Sequence, residues 1–116
     1  MTFRSDPRSK YGARKVTTAT GQTFDSVREY QRFCELNLMQ RAGVISDLKC
    51  QEKFELIPSQ KIDGKVVEKP CTYIADFVYM ENGKKVVEDA KGMKTKEYRI
   101  KKKLMLFVHG IQIKEV

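Results

Sequence analysis

Apolar residues at Val27, Tyr30, Cys34, Leu38 and Ala42 recur in steps of three and four, the spacing of one buried helix face. Ser26-Val27-Arg28-Glu29 forms a capping box at the start of this run, with Phe24 and Tyr30 placed as a hydrophobic staple. Arg41 falls in the last turn and Gly43 supplies a left-handed stop, so the pattern predicts a helix over about 26–42. Leu48, Cys50, Phe54 and Leu56 then alternate with Lys49, Gln51, Lys53 and Glu55, a half-buried strand interrupted only at Glu52. Residues 59–70 are polar and contain Asp63-Gly64, which predicts a loop or a protruding ribbon. Cys71 to Tyr79 reads as a second strand, Asn82-Gly83 as a tight hairpin turn, and Lys84 to Lys91 as a third strand. Thr95 caps a predicted helix that runs to His109 and stops at Gly110, and residues 111–116 alternate again as a fourth strand.

Ahead of the first helix, residues 15–18 and 22–24 flank Ala19-Thr20-Gly21 as a small hairpin. Residues 1–14 are polar, basic and aperiodic, the pattern of a mobile arm. The expected architecture is therefore α/β: one αβββαβ domain over 15–116, with a mixed four-stranded sheet that is mainly an antiparallel meander flanked by two helices. A chain of 116 residues allows a single domain of this size.

Composition narrows the partners. With 23 Lys+Arg against 15 Asp+Glu the chain carries a formal charge of +8, which makes a polyanion the default partner, nucleic acid ahead of a membrane surface. It has no apolar run of about 18 residues and no apolar leader, so no membrane partner and a cytoplasmic location are expected. The three cysteines have no Cys-x-x-Cys spacing, and with a single His109 they point to small buried hydrophobes in a reducing compartment.

The hairpin is where chemistry enters. If Asn82-Gly83 is a two-residue turn, Glu81 opposes Lys84 and counting outward sets Asp76 opposite Asp89 in a non-hydrogen-bonded pair. Such pairs hold their Cα atoms about 4.5 Å apart, and like charges directly opposed destabilise a sheet. The flanking residues Ile74, Ala75, Phe77, Val78, Val87 and Ala90 are apolar, so either a hard divalent cation such as Mg²⁺ or Mn²⁺ holds the two carboxylates or they share a proton. Lys91 shares the face of Asp89, whereas Glu88 points to the other face in a regular strand. Glu29 is explained by its capping box, or it lies at the edge of the packed side as a third oxygen ligand.

Asp76 … Asp89-Ala90-Lys91 on a hairpin, after a helix with Glu29 and before a basic helix, resembles the PD-(D/E)XK nuclease superfamily. More narrowly, "YIADFVYMENGKKVVEDAKG", "TFDSVREY" and the closing "HGIQI" resemble a family of small phage-encoded proteins of unassigned function grouped with those nucleases. The resemblance implies a restriction-endonuclease-like fold and hydrolysis of DNA phosphodiesters, with branched or recombination intermediates as the expected substrates. It implies that Asp76, Asp89 and the Ala90 carbonyl hold Mg²⁺ or Mn²⁺, that Lys91 positions water, and that Glu29 is the acid of the first helix. Ala75 stands where the motif's name has proline. The alternative is a non-catalytic protein that keeps the fold and binds nucleic acid or a host protein.

DNA is expected along the second helix. On a helical wheel Lys96, Arg99, Lys102 and Lys103 share an arc of about 120° while Ile100, Leu104, Phe107 and Val108 lie opposite, facing the core. Lys101 falls within the apolar half, where it pairs with Glu97 or reaches towards the carboxylates. Arg14, Lys15 and Lys94 extend the positive surface. Cutting two strands needs two sites, so a homodimer is expected, with Leu106 as an interface candidate.

Overall fold

The computed structural model describes residues 2–5, 14–19, 21–90 and 94–116. Three short strands, β1 (Thr2–Ser5), β2 (Arg14–Thr17) and β3 (Thr23–Phe24), form a small antiparallel sheet in the order β1-β2-β3. The hairpin expected around 19–21 is β2–β3. Thr2–Ser5, expected within a mobile arm, instead pairs with Arg14–Thr17; residues 6–13 lie outside the described set.

Helix α1 (Val27–Arg41) starts where Ser26 Oγ accepts a hydrogen bond from the Glu29 amide at 3.1 Å. The Phe24 and Tyr30 rings meet at 5.5 Å across that entry, as the staple requires. Strand β4 (Ser46–Ile57) follows, tied to the end of α1 by Leu48 N–H donating to Gln40 Oε1 at 2.9 Å. An exposed two-stranded ribbon, β5 (Gln60–Ile62) and β6 (Lys65–Glu68), turns at Asp63-Gly64 and leads into β7 (Cys71–Glu81). Asn82 and Gly83 both take positive φ, 52° and 75°, as a two-residue hairpin turn demands, and lead into β8 (Lys84–Asp89).

Helix α2 (Lys96–His109) is capped by the Thr95 hydroxyl and ends at Gly110, φ 67°. The last strand, β9, is only Lys114–Glu115 and runs parallel to β8, shorter than the alternation over 111–116 predicts. The result is a mixed four-stranded sheet in the order β4-β7-β8-β9 with two helices. Val78 and Val87 pack with Tyr98 and Met105 of α2, while Phe77 and Tyr79 pack with Leu36 of α1. Neighbouring residues of one strand thus serve opposite faces, and each helix covers one face of the sheet.

One expectation about α2 is overturned. Ile100, Phe107 and Val108 do not face the core; all three are exposed, and the buried line is Tyr98 and Met105, with Leu104 packed only partly. Lys101 and Lys102 flank that inward line and are half-buried, because the long stems of lysines cover the apolar sheet while their ammonium groups reach out.

Candidate metal centre and basic clefts

The pairing of β7 with β8 runs from Glu81↔Lys84 to Phe77↔Glu88, and Asp76 and Asp89 are the next residues outward on the two strands. Both aspartates are buried, at 6% and 2% relative exposure. Asp76 Oδ2 accepts the Ala90 amide proton at 2.7 Å, so its carboxylate lies against the backbone joining Asp89 to Ala90. Asp89 Oδ2 accepts the Tyr73 hydroxyl at 2.7 Å. Burial raises the Tyr73 phenol well above its ordinary value, and its hydrogen bond to Asp89 together with the charges of Asp89 and Asp76 raises it further. Tyr98 is likewise raised, by burial first, then its bond to Glu115, with the charges of both aspartates adding.

The sheet is irregular at this level. Tyr73 and Ala75 pack on the α2 face but Phe77 and Tyr79 on the α1 face, so β7 changes face around Asp76. β4 does the same: Phe54 and Leu56 serve the α2 face, Leu48 and Cys50 the α1 face. Cys50 pairs with Phe77 and Glu52 with Ala75, which sets Gln51 across from Asp76, and Gln51 has a left-handed φ of 57°. The sequence signal was the missing apolar residue at Glu52, read there as an interruption within one face.

Gln51 Nε2 donates to Glu29 Oε1 at 2.8 Å, and Glu29 is buried. Cys50 titrates above its ordinary value, mainly through burial, with the charges of Glu29 and Asp76 adding. Gln51, at the level of Asp76 in the β4–β7 register, thus links that level of the sheet to Glu29 of α1. Among the described residues no three His, Cys, Asp or Glu side chains converge closely enough to cage a metal ion. Mg²⁺ needs less than a cage: it commonly takes one or two carboxylates and fills its octahedron with water. The donor set of Asp76 and Asp89, two hard carboxylates, has the chemistry that ion takes. Lys91 lies outside the described residues.

A second acidic site was not anticipated. Glu88, fully buried on the α1 side, accepts from Arg32 Nε at 2.8 Å and Arg32 Nη2 at 2.6 Å, and from the Tyr79 hydroxyl. Arg32 also reaches Glu35 at 2.8 Å. This fork fastens α1 to β8 at the residue preceding Asp89. Only the alternation that turns Glu88 away from Asp89 hinted at it.

Of the expected nucleic-acid contacts, Lys15, Lys94, Lys96 and Arg99 are exposed, and Arg14 lies in β2. Lys101 pairs with Glu97 at 3.0 Å, the first of its two expected roles, and lines a cleft of ≈ 300 Å³ beside Tyr73 and Tyr98. Lys94, Arg99, Lys102 and Lys103 line a larger cleft of ≈ 450 Å³ with Glu115 at its wall. Glu115 accepts from Lys102 at 3.0 Å and Tyr98 at 2.9 Å, with Lys94 at 3.4 Å. These partners, Lys102 foremost, hold its carboxyl below the usual range. Glu115 is also the β9 partner of Asp89, so the basic cleft borders the aspartate strand. His109 is structural, its Nε2–H donating to the Glu55 carbonyl at 2.7 Å.

The fold and site define a small α/β protein with paired buried carboxylates next to a basic helix. The chain belongs to the family described as protein of unknown function (DUF1064), whose family model matches residues 8–114. Neither the curated proteins nor the solved structures gave a match to the chain. No helix among the described residues is long and apolar enough to cross a membrane.

Proposed function

We propose that this chain is a metal-dependent DNA endonuclease of the PD-(D/E)XK kind, in which Asp76 and Asp89 hold Mg²⁺ or Mn²⁺. The observation that carries the reading is the Asp76 carboxylate resting on the Ala90 amide, next to Asp89, with both side chains buried. Buried carboxylates are costly to ionise, and a divalent cation is a group that would stabilise them. The arrangement also agrees with the resemblance of Asp76 … Asp89-Ala90-Lys91 to that superfamily, and so does the order helix, strands, helix, strand.

When bound, a divalent ion lowers the pKa of its water and neutralises charge developing on a phosphate. The chain's own residues do the rest. The Ala90 amide and the Tyr73 hydroxyl fix one oxygen of each aspartate, which orients both carboxylates before substrate arrives. Glu29 is held by Gln51 near Asp76, where it acts through water or a second ion. Lys94, Arg99, Lys102 and Lys103 pair with backbone phosphates, and Lys101 lines the neighbouring cleft towards Tyr73. Lys91, by the resemblance, positions the attacking water.

One observation favours a second reading. The larger basic cleft is complete without any metal, since Glu115 already orders its lysines, and this suits a non-catalytic nucleic-acid-binding protein. Cleavage of labelled duplex, flap and four-way junction DNA in Mg²⁺, Mn²⁺ or EDTA separates the two. The nuclease reading expects metal-dependent products that Asp76→Ala, Asp89→Ala and Lys91→Ala each abolish. Binding of all substrates without cleavage in either metal refutes it and leaves the second reading.

A further inference from the structure

The larger basic cleft has features that backbone-phosphate contact does not use. At ≈ 450 Å³ it falls in the size range of small-molecule sites, and its cations differ in what they already hold. Lys102 and Lys94 are both turned onto Glu115, at 3.0 and 3.4 Å. Arg99 and Lys103 line the same cleft, are exposed, and pair with no carboxylate among the described residues. They stand four residues apart on α2, where like charges on neighbouring turns repel. A bound anion relieves that repulsion.

The rest of the lining is not that of a simple anion site. Arg99, Lys103 and Leu106 follow one another in steps of four and three, so Leu106 continues the side of α2 that carries the cations. Leu106 is 54% exposed, and it shares the cleft with the exposed Gln112. A phosphate gains nothing from a leucine. The face of a nucleobase does, because the contact takes apolar surface out of water on both sides. The amide of Gln112 carries both donors and an acceptor, the two kinds of group that a base edge presents. In a paired duplex the base face is stacked on its neighbours, so only an unstacked base reaches such a surface.

We propose that this cleft takes one unpaired nucleotide of a nucleic-acid strand, with its phosphate between Arg99 and Lys103 and its base against Leu106 and Gln112. Glu115 sets the direction: its carboxylate occupies Lys94 and Lys102 and repels a phosphate, which leaves Arg99 and Lys103 for the anion. Glu115 is also the β9 partner of Asp89, so the nucleotide lies next to the strand that carries one of the proposed metal ligands. The inference rests on the nucleic-acid reading of this cleft and narrows it. The preferred substrate has unpaired nucleotides where it meets α2, and continuous duplex is the poorer ligand.

Fluorescence anisotropy of the full chain in EDTA tests this without metal or cleavage. The probes are a short labelled single strand, the same strand with abasic sugars throughout, and a blunt duplex of the same sequence. The single strand is expected to bind tightest, and removing its bases weakens it about fivefold or more. Leu106→Ala weakens the base-bearing strand about fivefold and leaves the abasic strand unchanged, while Leu106→Met, of similar volume, keeps wild-type binding. Arg99→Ala with Lys103→Ala weakens every probe and lowers the single-strand salt slope by about 0.7, the share of one phosphate. These side chains are exposed, so the variants keep the wild-type circular dichroism and melting profile. An abasic strand that binds as tightly as the base-bearing one, a duplex that binds as tightly as the single strand, or indifference to Leu106→Ala overturns the site. So does a lack of binding to all three probes. A deoxynucleoside monophosphate that competes as well as the whole strand overturns the strand assignment in favour of a free nucleotide. Base-dependent binding by a chain that cleaves no DNA leaves this cleft standing and removes only the nuclease reading; metal-dependent cleavage without base-dependent binding does the reverse.

Discussion

Replacing Arg32 by alanine strands a buried carboxylate. Glu88 is 0% exposed and takes both Nε and Nη2 of Arg32, while the Tyr79 hydroxyl donates to one of the same oxygens. Removing one member of a buried pair typically costs about 3–5 kcal/mol, because the remaining charge loses its compensation but stays out of water. Two features favour the low end. The Arg32 side chain is itself partly exposed, so water enters the space it leaves, and Lys114 stands 3.9 Å from Glu88. A loss of about 3 kcal/mol is expected, a large share of the roughly 5–15 kcal/mol that holds a domain together. At about 3–5 °C per kcal/mol for a chain of this length, the melting temperature falls by roughly 10–15 °C. Urea unfolding followed by circular dichroism measures the loss, provided m is unchanged. The triple variant Arg32→Met, Tyr79→Phe, Glu88→Leu removes the buried carboxylate with its two hydrogen-bond donors, leaving only the half-exposed Lys114, and is expected to recover to within about 1 kcal/mol of wild type. An Arg32→Ala loss below about 1 kcal/mol, or a triple variant weaker than the single one, refutes this account of the α1–β8 junction.

Three further outcomes follow from the site. Tyr73, Tyr79 and Tyr98 all titrate above the ordinary phenol value of 10.0, each chiefly through burial and then a carboxylate partner. Their contribution to stability is complete below that value and is lost as pH rises through the folded one, so absorbance at about 295 nm should show these three ionising only as the fold opens; reversible ionisation of more than two of the five tyrosines in the folded chain contradicts it. Glu115 is held below its ordinary value, so its small contribution is present at neutral pH and disappears as acid passes its lowered pKa. Glu115→Gln should therefore flatten the acid limb of the melting temperature between neutral and about pH 3, and an unchanged limb argues against the Lys102–Tyr98–Glu115 network. Gln51→Gly relieves about 1–2 kcal/mol of left-handed strain and gives up a hydrogen bond worth about 1 kcal/mol, so denaturant unfolding should move by no more than about 1 kcal/mol. A loss beyond about 3 kcal/mol means that Gln51 supports more than Glu29.

Local signals carried most of the fold. Ser26 and Thr95 marked both helix starts, Gly110 the end of α2, and Asn82-Gly83 the β7–β8 turn and its register. Each is a short-range interaction, readable because the residues that decide it are neighbours in sequence. What long-range packing decides was less legible. The wheel of α2 was oriented by hydrophobicity, but Tyr98 and Met105 turned inward because Tyr98 can bury its ring and still bond Glu115. Ile100 and Phe107, more apolar by composition, were left outside. The face change at Gln51 and Asp76 was hidden because period-two counting continues through it, and only backbone geometry shows a left-handed residue there. Arg32–Glu88 joins residues 56 positions apart, so no local pattern announces it.

The claim on which the functional reading depends is that Asp76 and Asp89 share one divalent ion. Calorimetric titration of the full chain with Mn²⁺ measures this without any assumption about substrate. The account predicts saturable, near-stoichiometric uptake that Asp89→Asn and Asp76→Asn each weaken at least about tenfold. Absence of saturable uptake by the wild-type chain, or uptake that survives both substitutions unchanged, contradicts it.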